Sequence, residues 1–70
     1  MENIYIKDEY IKLGQALKLS GAVGSGVDAK FVIQDGLVKV NNTTCTERGK
    51  KLRDGDIISF NGKEYKIVNA

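Results

Sequence analysis

The segment that decides the fold is Ala29-Lys30-Phe31-Val32-Ile33-Gln34-Asp35-Gly36-Leu37-Val38-Lys39-Val40-Asn41. Its first half has helical spacing, because the apolar residues Ala29, Val32 and Ile33 fall at i, i+3 and i+4. Gly36, at i+7, is expected to end the helix, since a glycine adopts a positive φ angle without a clash from a Cβ atom. The first half of the segment therefore predicts the end of a helix.

The second half of the segment predicts a strand followed by a turn. Val38 and Val40 alternate with Lys39, which is the period-two pattern of a half-buried strand. Asn41-Asn42 predicts a turn, because asparagine tolerates positive φ angles and hydrogen-bonds its own backbone. Lys30 and Lys39 fall on the solvent sides of the helix and the strand. A corner of this kind is expected to meet an acidic partner.

The flanking sequence predicts a small α+β domain. A first helix is expected from about Glu9 to Leu19, with Asp8 as its N-cap and Gly21 as its stop. Ser25, three residues before Asp28, predicts a capping box that opens the second helix, which ends near Asp35. Strands are expected at Glu2–Lys7, Leu37–Asn41, Thr43–Thr46, Ile57–Phe60 and Glu64–Val68, with an Asn61-Gly62 hairpin turn between the last two.

Basic residues are concentrated in one part of the chain. The whole chain carries a net charge of +2, but residues 39–53 hold five basic residues against one acidic residue. Residues 1–10 instead hold one lysine and three carboxylates. The segment Glu47–Arg53 is polar and lysine-rich, which predicts an exposed loop. This sorting of charge favours one basic face on an otherwise neutral or acidic surface.

The length and composition are those of one small domain, residues 1–70. The hydrophobic content of 41% is typical of a folded protein. No apolar run approaches the ~20 residues that a membrane span requires. Cys45 is the only cysteine, so an internal disulfide is impossible, which agrees with a reducing compartment. We expect a cytoplasmic monomer without a cofactor or a membrane partner.

Three short motifs together resemble a known family. They are Lys12-Leu13-Gly14, then Asp28-Ala29-Lys30-x-x-Ile33-x-x-Gly36-x-Val38-x-Val40-Asn41, then Lys51-Leu52-x-x-Gly55-Asp56. This order is similar to the RNA-binding domain first described in ribosomal protein S-four, also called the αL motif, and especially to its small stand-alone bacterial members of the YaaA/YbcJ type. The resemblance covers residues 11–60. It implies an α+β fold in which a helix-loop-helix packs on a small, mostly antiparallel sheet.

The same resemblance implies a non-enzymatic module that binds structured RNA, ribosomal or transfer, by backbone and shape. Lys12 matches the basic position that opens the first helix, and Lys30 matches the basic position in the second. Arg48, Lys50 and Lys51 match the basic loop before the glycine-aspartate turn. The full set of basic residues expected to neutralise phosphates is Lys12, Lys18, Lys30, Lys39, Arg48, Lys50, Lys51 and Arg53. Of these, Lys12, Lys30, Lys50 and Lys51 are expected to converge, whereas Lys63 and Lys66 are expected to lie elsewhere.

Two other interpretations of the surface remain open at this stage. The lysines can be a solvated face without a partner, as surface lysines commonly are. Phe31 lies with Val27 on the side of the second helix opposite Ala29, Val32 and Ile33, away from the expected core. It can stack on an unpaired base, pack on another part of the chain, or bind a partner protein, as in a protein-interaction adaptor.

Catalytic motifs are not expected from the residues present. Cys45 has no histidine to act as its base, because the chain contains none, and a half-buried apolar role is predicted for it. Asp54 and Asp56 flank Gly55 and are predicted to form a turn. A sulfur carrier of this size needs a di-glycine tail, whereas this chain ends in Val68-Asn69-Ala70.

Overall fold

A computed structural model describes all residues, 1–70, as two helices and seven strands. The helices are α1 (Leu13–Leu19) and α2 (Gly26–Gln34). The strands are β1 (Glu2–Ile6), β2 (Ile11–Lys12), β3 (Val38–Val40), β4 (Thr43–Thr44), β5 (Lys51–Leu52), β6 (Ile57–Phe60) and β7 (Lys63–Asn69). The expected α+β class, with a helix-loop-helix on a mostly antiparallel sheet, is confirmed. Neither helix is long enough to cross a membrane.

The main sheet has five strands in the order β1-β7-β6-β3-β4. Strand β1 runs parallel to β7, with Glu2 opposite Tyr65 and Ile6 opposite Asn69, and the other pairs are antiparallel. A separate antiparallel ribbon joins β2 to β5. The sheet and the two helices enclose one core, because strand residues alternate between buried and exposed and the helices bury one face. Its members are Ile4, Ile6, Leu13, Ala16, Leu17, Ala29, Ile33, Val38, Val40, Leu52, Ile58, Tyr65 and Ile67.

The turns form where the sequence predicts them. Gly36 has a φ angle of 75°, as a left-handed cap after α2 requires. Asn41 and Asn42 have φ angles of 51° and 69° between β3 and β4. Asn61 and Gly62 likewise have positive φ angles in the β6–β7 hairpin. These residues set the direction of the chain at the points where a side chain with ordinary φ preferences would be strained.

The expected start of the first helix is wrong. Residues 9–12 are not helical, and Asp8 is not its N-cap, because Ile11–Lys12 pairs as β2 with Lys51–Leu52. Lys12 occupies the N-cap position instead, and its backbone N–H donates to Gln15 Oε1 at 3.4 Å. The helix therefore begins only after the chain has left this ribbon.

The expectation that Glu47–Arg53 is an exposed loop is also wrong in part. Leu52 is fully buried and belongs to the core, and Lys51–Leu52 is a strand. The pairing with β2 places Leu52 opposite Ile11, which is half-buried against the same core.

Two smaller differences concern the length of one strand and the cap of one helix. The strand expected at Thr43–Thr46 is shorter, because only Thr43–Thr44 pairs with β3. Only half of the capping box expected at Ser25 forms. The Ser25 side chain accepts a hydrogen bond from the Asp28 N–H, but the Asp28 carboxylate accepts none from the Ser25 N–H.

Candidate nucleic-acid interface

The start of α1 is held by a distant segment of the chain. Leu13 N–H donates to the carbonyl oxygen of Lys50 at 2.9 Å, and Gly14 N–H donates to that of Arg48 at 3.0 Å. The first amides of a helix lack partners within the helix, so these carbonyls replace the N-cap side chain that Lys12 cannot supply. These two hydrogen bonds hold residues 48–50, which we call the basic loop, against the start of α1. Arg48 and Lys12 therefore line the same concavity.

Gly14 makes this close approach possible. A Cβ atom built on Gly14 would lie 2.7 Å from Arg48 Cγ, closer than carbon atoms pack. Gly14 is itself buried against the loop. The glycine of the Lys12-Leu13-Gly14 motif is therefore needed for packing of the basic loop, and it sets where the Arg48 side chain runs.

Helix α2 carries the second part of the site. Ser25 Oγ accepts a hydrogen bond from the Asp28 N–H at 3.2 Å, which fixes the start of the helix. Ala29 and Ile33 are buried, and α2 packs against α1. Lys30 and Phe31 therefore project from the exposed side of a helix that is anchored at both its cap and its core face.

Four of the expected RNA-binding residues line one concavity of about 700 Å³ between α1, α2 and the basic loop. They are Lys12, Lys18, Lys30 and Arg48, and with Val27 and Phe31 they define what we call the basic groove. All four cationic side chains are exposed, and no aspartate or glutamate is among the lining residues. The groove is a concave surface of one charge sign with an apolar patch on one wall.

The other expected RNA-binding residues lie outside the basic groove. Lys50 lines a different concavity, of about 430 Å³, beside Thr43–Glu47. Lys39 is exposed on β3, opposite Thr44 and Ser59. The structure thus brings Lys12 and Lys30 together but places Lys50 in a different concavity and leaves Lys39 outside both. Lys63 lies in a separate depression near Phe60 and Glu2.

Tyr10 is a residue that the sequence did not single out for the site. The Lys51 Nζ atom lies 4.9 Å from the centroid of its ring, and the Arg53 guanidinium carbon lies 5.8 Å from it. Both distances are within the range of cation–π attraction. The sequence around Tyr10 does not indicate this contact, because Lys51 and Arg53 reach the ring only when β5 pairs with β2.

The β2–β5 ribbon places two like charges directly opposite each other. Lys12 and Lys51 are cross-strand partners, an arrangement that disfavours folding because the two side chains share one face. Attraction of Lys51 to the Tyr10 ring draws its ammonium group aside.

Phe31 and Val27 are exposed, as the helical pattern predicts. Their exposed fractions are 58% and 62%, and neither belongs to the core or packs against it. Packing on another part of the chain, one of the alternatives for Phe31, therefore covers less than half of its surface. The two residues lie one helical turn apart on the wall of the basic groove.

Cys45 and the acidic residues serve the fold. Cys45 is half-buried against the core, and its Sγ atom lies 3.7 Å from the carbonyl oxygen of Glu47. Asp56 Oδ2 accepts from Arg53 N–H at 2.7 Å, and Asp54 Oδ1 accepts from Asn69 N–H at 2.8 Å. The two aspartates thus stabilise the turn before β6, as predicted.

The fold and the groove together define a small αL-type domain, in which a helix-loop-helix and a basic loop stand on a mixed sheet. The chain belongs to the S4 domain family, whose model matches residues 4–68. This match is longer than the motif at residues 11–60, because it includes β1 and β7. The expected family resemblance is confirmed.

Individual relatives match nearly the whole chain. The probable ribosome maturation protein RlbA of Bacillus subtilis (strain 168) is 39% identical over 67 residues, which cover 94% of each chain. The putative RNA-binding protein YbcJ of Escherichia coli (strain K12) is 36% identical over 62 residues, 89% of each chain.

Solved structures match the fold as well. The solution structure of YbcJ from E. coli, described as revealing an αL motif involved in RNA binding, has a TM-score of 0.75 at 33% identity. That match covers 97% of this chain and 87% of YbcJ. The 30S ribosomal protein S4e from Thermoplasma acidophilum has a TM-score of 0.65 at 30% identity, over 86% of this chain and 32% of S4e.

Proposed function

We propose that this protein is a non-enzymatic RNA-binding module of the cytoplasm that acts as a monomer and recognises structured RNA, ribosomal or transfer, by backbone and shape. The observation that carries the proposal is the convergence of Lys12, Lys18, Lys30 and Arg48 on one groove from three separate segments. Membership of the S4 domain family and the names of the relatives RlbA and YbcJ support it.

The mechanism follows from charge and geometry. Lysine and arginine side chains that neutralise phosphates release condensed counterions, which gives affinity without sequence preference. The base edges of an A-form duplex lie in a deep, narrow groove, whereas its phosphates and 2′-hydroxyls are accessible. A basic groove is therefore suited to the outline of an RNA helix. Lys51 and Arg53, gathered at Tyr10, extend the positive surface beyond the groove.

A comparison of RNA with DNA tests the proposal. A hairpin RNA and a hairpin DNA of the same sequence are titrated with the protein at several salt concentrations, using fluorescence anisotropy. We expect tighter binding of the RNA at every salt concentration, because A-form geometry and 2′-hydroxyls distinguish the two. Equal affinity for the two hairpins at every salt concentration would mean that only non-specific attraction to a basic protein is present, and it would contradict the proposal. Transfer RNA and ribosomal RNA fragments in the same assay separate the two classes of ligand.

A second candidate function is a protein-interaction adaptor. The exposed side chains of Val27 and Phe31 favour it, because they form an apolar patch on α2. Lysine is, however, depleted at the centres of protein interfaces, and three lysines surround this patch. Failure of both hairpins to bind at low salt would favour the adaptor.

A further inference from the structure

Phe31 is the one aromatic side chain of the basic groove. It is 58% exposed, and the groove around it contains three lysines and one arginine. The cations account for attraction to phosphates, but a phenyl ring gains nothing from a phosphate. A ligand that uses the whole groove, Phe31 included, therefore needs both negative charge and an apolar surface.

An unpaired nucleotide has both properties. A base has a flat apolar face that stacks on aromatic side chains, and its own phosphate lies a few bonds away. In a fully paired duplex, both faces of every base are already stacked on neighbours, so Phe31 would have no surface to contact. A bulged or looped-out base beside a helix exposes such a face next to the phosphates that the cations bind.

The composition of the groove favours RNA over a protein as the ligand of Phe31. Protein interfaces are depleted of lysine at their centres, whereas the groove has Lys12, Lys18 and Lys30 and no carboxylate among its lining residues. The concavity of about 700 Å³ has room for one base beside Phe31. One nucleotide is a ligand of suitable size.

We propose that Phe31 stacks on an unpaired base, and that the protein thereby selects structured RNA with a bulged or looped-out nucleotide beside a helix. This inference rests on the proposed function, since it assigns a preferred class of RNA to the same groove. The cations give general affinity, and Phe31 gives the preference. Val27 lies one helical turn before Phe31 and lines the same groove.

The test compares two hairpin RNAs that differ only by one bulged adenosine in the stem. We expect the protein to bind the bulged hairpin about 5- to 150-fold more tightly, the range for one base stacked on an aromatic ring. Phe31→Ala should abolish this preference, so that the variant binds the two hairpins with equal affinity and with the same salt dependence. Leu37→Ala is the matched control, because Leu37 is 57% exposed and lies outside the groove. It should change neither affinity.

A second variant reports stacking directly. The chain contains no tryptophan, so Phe31→Trp introduces a single indole. We expect it to keep the preference and its fluorescence to be quenched by the bulged hairpin more than by the paired one.

Three results would overturn the inference. One is equal affinity of the protein for the two hairpins, and another is an equal loss on both hairpins with Phe31→Ala. In either case RNA binding itself, and so the proposed function, would stand, and Phe31 would be assigned to general docking or to a protein partner. If neither hairpin binds at low salt, the proposed function fails together with the inference.

Discussion

Replacement of Lys12 and Lys30 by alanine removes two of the four cations of the basic groove. Each phosphate contact contributes about 0.9 to the slope of log affinity against log salt for a duplex, and about 0.7 for a single strand. The double variant should therefore flatten the slope by roughly 1.4–1.8. Between about 50 and 200 mM salt, the affinity of the unmodified protein should then fall about tenfold more than that of the variant.

The matched control is Lys63→Ala with Lys66→Ala. It removes the same formal charge from β7, and Lys63 lies in a depression that shares no residue with the groove. Both pairs are exposed, and circular dichroism checks that both variants are folded. Salt titrations by fluorescence anisotropy on a hairpin RNA give the two slopes. If both pairs flatten the slope alike, net charge alone explains binding, and the groove is not the site.

Three further substitutions, with Leu37→Ala as a control, test the packing around the groove and the role of the thiol. Gly14→Ala should lower the free energy of unfolding by about 1–3 kcal/mol in urea titrations, because the added methyl overlaps Arg48 Cγ; an unchanged midpoint would contradict the packing role. Leu52→Ala should lower the free energy of unfolding by about 2–5 kcal/mol, since the Leu52 side chain is fully buried. The control Leu37→Ala should change it by less than about 0.5 kcal/mol in the same assay, since Leu37 is exposed. Cys45→Ser should leave RNA affinity nearly unchanged, because Cys45 lies outside the basic groove, and a large loss in a folded variant would disprove the apolar role of the thiol.

The elements that follow local rules could be predicted from the sequence. Helix α2 begins after Ser25 and ends before Gly36, because the Ser25 side chain caps it and the glycine accepts a positive φ angle. The β6–β7 hairpin forms at Asn61-Gly62 for the same kind of reason. In each case the residues that decide the structure are within a few positions of it.

The start of α1 could not be predicted, because its determinant is distant. The carbonyls of Arg48 and Lys50 bind the first amides of the helix, and β5 pairs with Ile11–Lys12. The sequence around Asp8 indicates neither contact. The burial of Leu52 was missed for the same reason, since its neighbours are charged and only the ribbon carries it into the core.

The sequence predicted which basic residues are exposed, but not which of them lie together in the basic groove. All the expected cations are exposed, yet only tertiary structure separates those in the groove from Lys39 and Lys50. The exposure of Phe31 followed from helical periodicity. Its position among the cations required the packing of α1 against α2.

The pairing of β1 with β7 has a consequence for biosynthesis. Strand β1 is at the edge of the sheet and has no neighbour except β7, so the first strand of this domain cannot pair until its last strand has been synthesised. Until then Ile4 and Ile6, both buried in the finished protein, have no sheet to join. Because such distant pairings close late and slowly, the sheet is completed only after β7 has been synthesised. During that interval the nascent chain exposes an apolar strand that chaperones can bind.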